Sequence, residues 1–430
     1  KNYVNPKVLI QYVNGYEENS NETFFQNILK LKPGNNMIFD LKTNSYLTKP
    51  YYFIKPKKNN FFHLNIESKI LKTLKDSIKL RMRSDVKVGS CLSGGIDSSM
   101  IVSVASKFAS RYNEKLIAIH AKSIENDTDE SEYAKLFEKE VNLYFTEPSI
   151  NEISDLIPEV VYTQEEPFGG LSVVMQYLVM KKAKSINCKV LLDGQGADEV
   201  FLGYEKYHSF YISTLLKNFK LIDSMSYFLK LLKKKKINKI LFKSIISNLF
   251  PRWIFFLKKK LLIQEFVLKP KFKKKEINII RKFSKMEQFQ IDELNYFNLP
   301  HLLKCEDKNS MRNSIETRLP YLDYRLIEFL VSLDPSSKLK NANLKYLLKK
   351  ISKNIVPDKI LKRKKKFGFE APSNMWITQN KIEMLDKIKN SKVINSIYKI
   401  NYKNLHDKRL LWRFYNITIW ESIFNVVVKE

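Results

Sequence analysis

Cysteine is scarce in this chain and long apolar runs are missing, and each shortage argues against a class of protein. Three cysteines among 430 residues form no CxxC pair, so zinc binding is not supported, and this odd, scattered set predicts reduced thiols in a cytoplasmic protein. Packing is the expected role of Cys91 and Cys188, which lie near predicted strand ends. No signal peptide is visible at Lys1, and no apolar run is long enough to span a bilayer.

Acidic residues are also in short supply, with 45 Asp and Glu against 75 Lys and Arg and a formal net charge of +30. Such an excess suggests nucleic acid or an anionic membrane as partner. Lysine is accompanied throughout by Asn, Ile, Phe and Tyr, however, which indicates a compositional bias, and we expect no nucleic acid partner. The runs 231–239 and 269–276 are interpreted as solvated surface. Residues 249–263 can lie on a membrane surface, but a buried amphipathic helix is favoured.

The stretch CLSGGIDSSM, residues 91–100, places two glycines between a predicted strand at 86–92 and a predicted helix at 98–109. Glycine lets the backbone approach a ligand, and the free N–H groups of a helix start attract anions. The pattern predicts a phosphate-binding loop with Ser93, Ser98 and Ser99 as hydroxyl donors; a plain turn without a ligand is the alternative. The lysine of a Walker-type loop is missing, which favours a pyrophosphate held with a metal.

Four further stretches, together with LSGGIDSS, resemble the glutamine-dependent asparagine synthetases of the ATP pyrophosphatase group. They are EEPFGGLSVVMQY (165–177), LLDGQGADEVFLGY (191–204), LPHLLKCEDKNSMRNSIETRLPYLDYRLIEF (299–329) and KKKFGFEAPSNMW (364–376). Their order and spacing carry the resemblance from about residue 21 to residue 376. It implies a class II amidotransferase whose synthetase domain has an adenine nucleotide α-hydrolase-like fold.

From residue 66 onward, helical patterns alternate with short apolar strands, which predicts an α/β fold with a parallel sheet covered on both faces. The predicted strands are 86–92, 115–120 and 189–192. Ligands bind at the carboxyl ends of such strands, so we expect SGGIDSS and DGQGADE to meet at one site. Residues 58–430 are the expected synthetase domain, with helical additions that include a basic segment at about 205–285.

Residues 22–53 alternate with period two around a Pro-Gly turn, which predicts a β-hairpin. The resemblance implies that residues 1–57 are the C-terminal end of a glutaminase-type β domain, whose nucleophile is an N-terminal cysteine. No cysteine precedes Cys91. Either the sequence is a fragment, which we favour because an isolated hairpin is unstable, or the protein takes ammonia directly.

ATP and Mg²⁺ are the expected ligands of the site. Asp198 in DGQGADE can face Asp97 across the pyrophosphate and share a Mg²⁺ ion with it. The resemblance implies that Leu92 and Ile119 frame the adenine, with Asp193 and Gly194 near the ribose or base. The predicted nucleotide-binding set is Leu92, Ser93, Gly94, Gly95, Asp97, Ser98, Ser99, Ile119, Asp193 and Gly194.

The resemblance implies two chemical steps. A carboxylate attacks the α-phosphorus of ATP and releases PPi, and ammonia then displaces AMP. A lysine placed over the negative charge that develops in the reaction would assist catalysis. Lys366 is the first candidate for this role and Lys365 the second. The alternative is that these lysines are exposed loop residues. Arg318 either forks onto a substrate carboxylate or forms a buried ion pair that fixes its turn.

Two positions depart from the family pattern. Many members carry glutamate where this chain has Gln195, and Asp193 replaces a frequent serine. Glutamine cannot move a proton, so the ammonia step would rely on another group such as Glu199 or Glu165, or Gln195 would only hydrogen-bond the substrate.

Three functions compete. The first is synthesis of asparagine from aspartate, ATP and ammonia or glutamine. The second is amidation of a sugar carboxylate in a surface-polysaccharide pathway, and the third is a nucleotide- and RNA-binding protein without synthetase activity. Whether the protein forms a homodimer is left open.

Overall fold

The computed structural model describes residues 2–15, 21–54, 65–125, 129–234, 239–249, 266–273, 285–363 and 372–429. Its strands are β1 (Asn2–Tyr3), β2 (Asn35–Asp40), β3 (Ser45–Pro50), β4 (Val88–Cys91), β5 (Leu116–Ala121), β6 (Val141–Thr146), β7 (Val190–Leu192), β8 (Phe266–Leu268), β9 (Glu316–Arg318), β10 (Tyr398–Ile400) and β11 (Val426–Val427).

Helices fill most of the remaining described chain. The first are α1 (Pro6–Val13), α2 (Ile66–Arg81), α3 (Ile96–Ala109), α4 (Ser131–Ala134), α5 (Ile150–Gln164), α6 (Ser172–Ser185), α7 (Ala197–Val200), α8 (Lys206–Lys217), α9 (Leu221–Lys233) and α10 (Lys239–Leu249). Further helices span Pro270–Lys273, Met286–Asn295, Asn298–Arg312, Tyr324–Ser332, Pro335–Lys338, Tyr346–Ile351, Asp358–Leu361, Ser373–Gln379, Lys381–Asn390, Lys392–Ile397 and Lys408–Phe424. Short 3₁₀ turns lie at Ser110–Tyr112, Lys135–Phe137, Pro320–Leu322 and Lys340–Ala342.

A five-stranded sheet with the order β6-β5-β4-β7-β9 forms the centre of the fold. All four pairings in it are parallel. The chain runs outward from β4 through β5 to β6 and then returns to the other side of β4 with β7. The strand order therefore reverses beside β4, where open α/β sheets bind ligands. The predicted α/β fold with a parallel sheet is confirmed, and the three predicted strands correspond to β4, β5 and β7.

Both faces of the sheet are covered, as the apolar character of its strands predicts. Leu116 and Ala118 of β5 pack on one face in the cluster that contains Ile101 of α3. Ile117 of β5 points to the opposite face and joins Met180 of α6. Because side chains alternate along a strand, this arrangement fixes the register of β5. Since β5 and β7 both pair in parallel with β4, the carboxyl ends of the three strands lie at the same edge of the sheet.

The N-terminal residues divide into two parts with different surroundings. Strands β2 and β3 form the predicted antiparallel hairpin, and apolar side chains such as Ile38 and Leu47 are exposed on it. In contrast, Leu9 of α1 is buried in one cluster with Trp420, and β1 pairs in parallel with β11. Part of the predicted N-terminal unit 1–57 thus packs as part of the C-terminal core, because α1 has an apolar face that needs burial. Assignment of the hairpin to a glutaminase domain stays a prediction.

The predicted basic segment at about 205–285 is helical at α8, α9 and α10, while β8 adds a short strand near its end. Tyr207 of α8 and Leu231 of α9 pack with Phe289 in a separate apolar cluster. Residues 251–263, most of the stretch considered for membrane contact, lie outside the described residues. Across the part of the chain that is described, no helix combines the length and apolar character that a bilayer span requires.

Candidate active site

The predicted phosphate loop connects β4 to α3. Gly94 has a φ of +78°, in the left-handed region that glycine favours. Within the loop, the main-chain N–H of Ser93 donates to Ser98 Oγ at 3.1 Å, and the two serine hydroxyls lie 3.0 Å apart. The serines thus brace the turn against the first turn of the helix. Since α3 is 14 residues long, its first N–H groups face this turn with the positive end of the helix dipole behind them.

The DGQGADE loop, which follows β7, lies directly against the phosphate loop. A methyl group on Gly194 would come 3.2 Å from Asp97 Cβ and 3.3 Å from the main-chain nitrogen of Ser98. Only a residue without a side chain fits this approach comfortably. The prediction that the two motifs meet at one site is therefore confirmed.

Lys345 joins the acidic residues of the two loops. Its Nζ lies 2.6 Å from both carboxylate oxygens of Asp97 and 2.6 Å from Asp198 Oδ1. The three side chains are 4%, 12% and 16% exposed, respectively, so the contact is shielded from water. A single cation thus neutralises part of the charge of two converging carboxylates.

The convergence of Asp97 and Asp198 on one cationic point also fits a magnesium ion. Carboxylate oxygens suit Mg²⁺, which is usually held by one or two carboxylates together with substrate phosphates and water. No group of three or more potential ligands from His, Cys, Asp and Glu occurs among the described residues. The two aspartates therefore fit an ion that takes its other ligands from a phosphate chain, and they do not form an all-protein metal cage.

Lys345 was not predicted from the sequence. It lies in NANLKYLLKK, outside the stretches that carry the motifs, and the 75 basic residues of the chain give no reason to single it out. Tyr321 was also missed, although it lies in the stretch LPYLD. Its buried hydroxyl donates to the main-chain oxygen of Asp97 at 3.0 Å. This hydrogen bond helps to fix the backbone at the start of α3, next to the phosphate loop.

The residues predicted to frame adenine are buried at adjacent strand ends. The N–H of Leu92 donates to the carbonyl oxygen of Ile119 at 2.9 Å, and Nδ1 of His120 lies 2.7 Å from the carbonyl oxygen of Leu92. Burial lowers the pKa of His120. This geometry fixes the backbone at the carboxyl ends of β4 and β5, while the adenine contact itself stays a prediction.

Asp193 lies beside a second buried carboxyl group. Its Oδ1 accepts a hydrogen bond from the N–H of Gly194 at 2.5 Å. Burial, together with the charge of Asp97, raises the pKa of Asp193 to about 6. Glu306, on the helix Asn298–Arg312, lies within reach of Asp193, and burial raises its pKa well above the usual range.

The other candidates for proton transfer differ in exposure. Glu199 is 1% exposed and accepts hydrogen bonds from Tyr204 Oη at 2.7 Å and from Asn298 Nδ2 at 2.8 Å; burial raises its pKa. Glu165 is 62% exposed and pairs with Lys308, so its charge is largely solvated. Gln195 is partly buried in its loop.

The lysine candidates lie elsewhere in the chain. Lys365 and Lys366 are outside the described residues, so their predicted role stays a prediction.

Arg318 is held within the edge of the sheet. Its Nη1 donates to the carbonyl oxygens of Arg81 and Arg83 at 2.8 and 2.6 Å, and its Nε donates to Glu316 at 2.7 Å. The pair with Glu316 is not buried, because the glutamate side chain is 60% exposed. The guanidinium thus ties β9 to the segment that leads into β4, and contact with a substrate carboxylate stays a prediction. Asp323 caps the helix Tyr324–Ser332.

The fold and the site together define a nucleotide-binding α/β domain of the ATP pyrophosphatase type. Its features are a parallel sheet, a loop with glycines and serines after the central strand, and the carboxylates of Asp97 and Asp198, which follow neighbouring strands. The chain belongs to the asparagine synthase family, whose model matches residues 69–416.

Curated relatives agree with this assignment. Asparagine synthetase [glutamine-hydrolyzing] 1 of Bacillus subtilis is 28% identical over 98% of this chain and 69% of that protein. A putative asparagine synthetase of Methanocaldococcus jannaschii is 34% identical over 51% of this chain and 42% of that protein. Asparagine synthetase B of Escherichia coli is 26% identical over 39% and 32%, respectively. The chain therefore spans a third to two thirds of the length of these relatives.

Proposed function

We propose that this chain is the synthetase part of a cytoplasmic enzyme that converts aspartate to asparagine, with ATP as the activating substrate. The convergence of the phosphate loop, Asp97, Asp198 and Lys345 at the carboxyl edge of the sheet carries this proposal. That edge offers helix N–H groups for phosphate oxygens and two carboxylates for a metal ion, which together suit the triphosphate of ATP.

Each part of the edge has a role in the first step. The phosphate loop, with the hydroxyls of Ser93, Ser98 and Ser99, holds the pyrophosphate portion of ATP. Asp97 and Asp198 would hold Mg²⁺, which would supply positive charge to neutralise the departing pyrophosphate. Lys345 Nζ contacts both aspartates at this edge, and its ammonium group would bind phosphate oxygens of the nucleotide.

The reaction then requires alignment more than covalent catalysis. The substrate carboxylate attacks the α-phosphorus of ATP, and the acyl-adenylate and PPi form. Lys366, or Lys365 beside it, adds positive charge where negative charge develops. Ammonia attacks the acyl carbon in the second step, and Gln195 hydrogen-bonds the substrate. Glutamine is the proposed source of the ammonia, and it is supported by the relatives that are named glutamine-hydrolyzing.

The first test is PPi release from ATP with Mg²⁺, ammonium chloride and aspartate. We expect release that depends on aspartate, and we expect Asp97→Asn to lower it by at least about 100-fold, because charge neutralisation at such a site contributes several kcal/mol. Asp358→Asn is the matched control, since the Asp358 side chain is 75% exposed and pairs with Lys362 one turn away.

The outcomes separate the candidate functions. Release that ignores aspartate but appears with a uronic acid would replace the amino acid by a sugar carboxylate. If no acid supports release while RNA binds with a steep salt dependence, the synthetase function fails.

A further inference from the structure

A pair of buried carboxyl groups next to the proposed ATP site has no role in the mechanism above. Asp193 follows β7 and is 4% exposed, and Glu306 on the helix Asn298–Arg312 is 1% exposed. Their side chains are within hydrogen-bonding reach of each other. Two ionised carboxylates at that separation would repel strongly at such a buried position.

Among the described residues, the donors around the pair are too few to stabilise two negative charges. Asp193 Oδ1 accepts from the N–H of Gly194, whereas Asp193 Oδ2 and both oxygens of Glu306 accept no well-formed hydrogen bond from any described residue. The hydroxyl of Thr317 on β9 lies near Glu306. A proton between the two carboxyls supplies the donor that each otherwise lacks.

The charged and titratable groups that face the pair come from several elements. The thiol of Cys91 at the end of β4 lies against Asp193, and Asp97 acts on it from α3. Asp307 adds a further negative charge on the helix of Glu306. None of these is a cation. In contrast to the neighbouring aspartates at Lys345, this pair is stabilised by protonation.

The position of the pair connects it to the second chemical step. The residue after Asp193 lies against Asp97 and Ser98 in the phosphate loop, so the pair is next to the loop that is proposed to hold the phosphates of ATP. Gln195, two residues on, cannot accept a proton. Amide formation nevertheless requires that the attacking nitrogen lose one.

We propose that Asp193 and Glu306 share one proton and act together as the general base of the amination step. The inference rests on the proposed function. The lone pair of ammonia forms the C–N bond, the bond from the acyl carbon to the phosphate oxygen of AMP breaks, and AMP leaves with that electron pair. The nitrogen gives one proton to the Asp193 carboxylate. The pair, singly negative before the step, is neutral after it and returns the proton to solvent when the products leave.

The first test asks whether the pair holds a proton at neutral pH, by infrared spectroscopy of the intact chain. We expect a carbonyl stretch of a protonated carboxyl group that disappears in Glu306→Gln and remains in Thr317→Val, which keeps both carboxyls and removes the nearby hydroxyl. The substitution Glu306→Gln preserves size and supplies an N–H donor to Asp193, so it should fold. If the wild type lacks this band, the proposal is overturned whatever the substrate.

The second test separates the two half-reactions. Aspartate-dependent exchange of labelled PPi into ATP reports adenylation, and asparagine formation from ammonium chloride reports both steps. We expect Glu306→Gln to reduce asparagine formation about 100-fold more than it reduces exchange, the size of a typical general-base contribution. Equal losses in both assays would make Glu306 a structural residue and sink the proposal.

The two tests also separate this inference from the assignment of aspartate. A wild-type chain that exchanges no PPi with aspartate would contradict the proposed substrate. The infrared band would still show, independently of the substrate, whether Asp193 and Glu306 share a proton.

Discussion

Two pairs of carboxyl groups lie at the same edge of the sheet, and the protein stabilises them in opposite ways. Asp97 and Asp198 face a lysine whose Nζ is 2.6 Å from each. Asp193 and Glu306 face each other, and burial raises the pKa of both. The comparison teaches that the charge of an acidic residue in this fold depends on whether the packing brings a cation to it. One pair is suited to a metal and phosphate, and the other to a proton.

The largest effect is expected from Lys345→Met, which removes the ammonium group that contacts both aspartates of the first pair. Two shielded carboxylates would then face each other, and loss of one partner of a buried pair typically costs about 3–5 kcal/mol of the free energy of unfolding. Urea unfolding in the presence of a chelator measures the loss. Added Mg²⁺ should restore more stability to the variant than to the wild type, because the ion takes the place of the ammonium group.

Lys359→Met is the control for this experiment. Lys359 is 53% exposed and pairs with the exposed Glu132, so its removal should change stability by less than about 1 kcal/mol. A Lys345→Met chain as stable as the wild type without Mg²⁺ would show that the aspartates do not depend on the lysine.

Gly203→Ala is expected to disturb the first pair by steric overlap. An added Cβ would collide with Asp198 Oδ1 and Lys345 Cε, and overpacking of this kind costs about 1–3 kcal/mol. Thermal unfolding and PPi release both measure the effect. Gly170→Ala is the matched control, since among the described residues no atom beyond its own chain neighbours lies within 4 Å of the added methyl group. Equal stability of the two variants would contradict the close packing at Asp198.

The second pair predicts a pH dependence of stability. Because both carboxyls have a raised pKa in the folded state, the folded chain binds more protons than the unfolded chain, and stability falls as the pH rises from about 4 through the folded pKa values. Each unit by which the pKa is raised corresponds to about 1.36 kcal/mol. We expect Glu306→Gln to be less sensitive than the wild type between pH 5 and pH 8 in urea unfolding, whereas Thr317→Val keeps the decline. A wild-type curve no steeper than that of Glu306→Gln would contradict the raised pKa of the pair.

The smallest effect is expected from Arg318→Lys, a charged residue at the same edge that belongs to neither pair. Lysine keeps the charge but cannot reproduce the fork that binds Glu316 and two carbonyl oxygens, so we expect a loss of about 1–2 kcal/mol of stability. The KM for aspartate should stay within about twofold if the residue is structural. A rise of tenfold or more in that KM would support the predicted contact with the substrate.

Much of the fold was predictable because it depends on short-range patterns. Glycines and serines between an apolar strand and a helical pattern predicted the β4–α3 turn, and the alternation of elements predicted the parallel sheet. The meeting of the two loops followed from the rule that parallel strands end at one edge. The predicted domain boundary at residue 57 did not show where α1 packs. The burial of α1 depends on the helix Lys408–Phe424, which lies at the other end of the chain.

The acidic members of the site were predictable, whereas their partners were not. Asp97 and Asp198 lie in motifs with glycine, but Lys345 is one of 75 basic residues, and it is separated from Asp97 by 248 positions. Glu306 lies in the motif stretch 299–329, and the pattern there predicts a helix. The pattern alone does not tell whether the helix face that carries Glu306 meets solvent or Asp193.

The sequence by itself determined the parallel sheet, the phosphate loop and the presence of acidic residues at the strand ends, because these depend on local backbone preference and on the order of elements. Only the tertiary structure decided which acid receives a lysine and which receives another acid. That choice depends on how distant helices pack against the sheet, and in a site shielded from water the nearest neighbour determines whether a carboxyl group is stable as an anion.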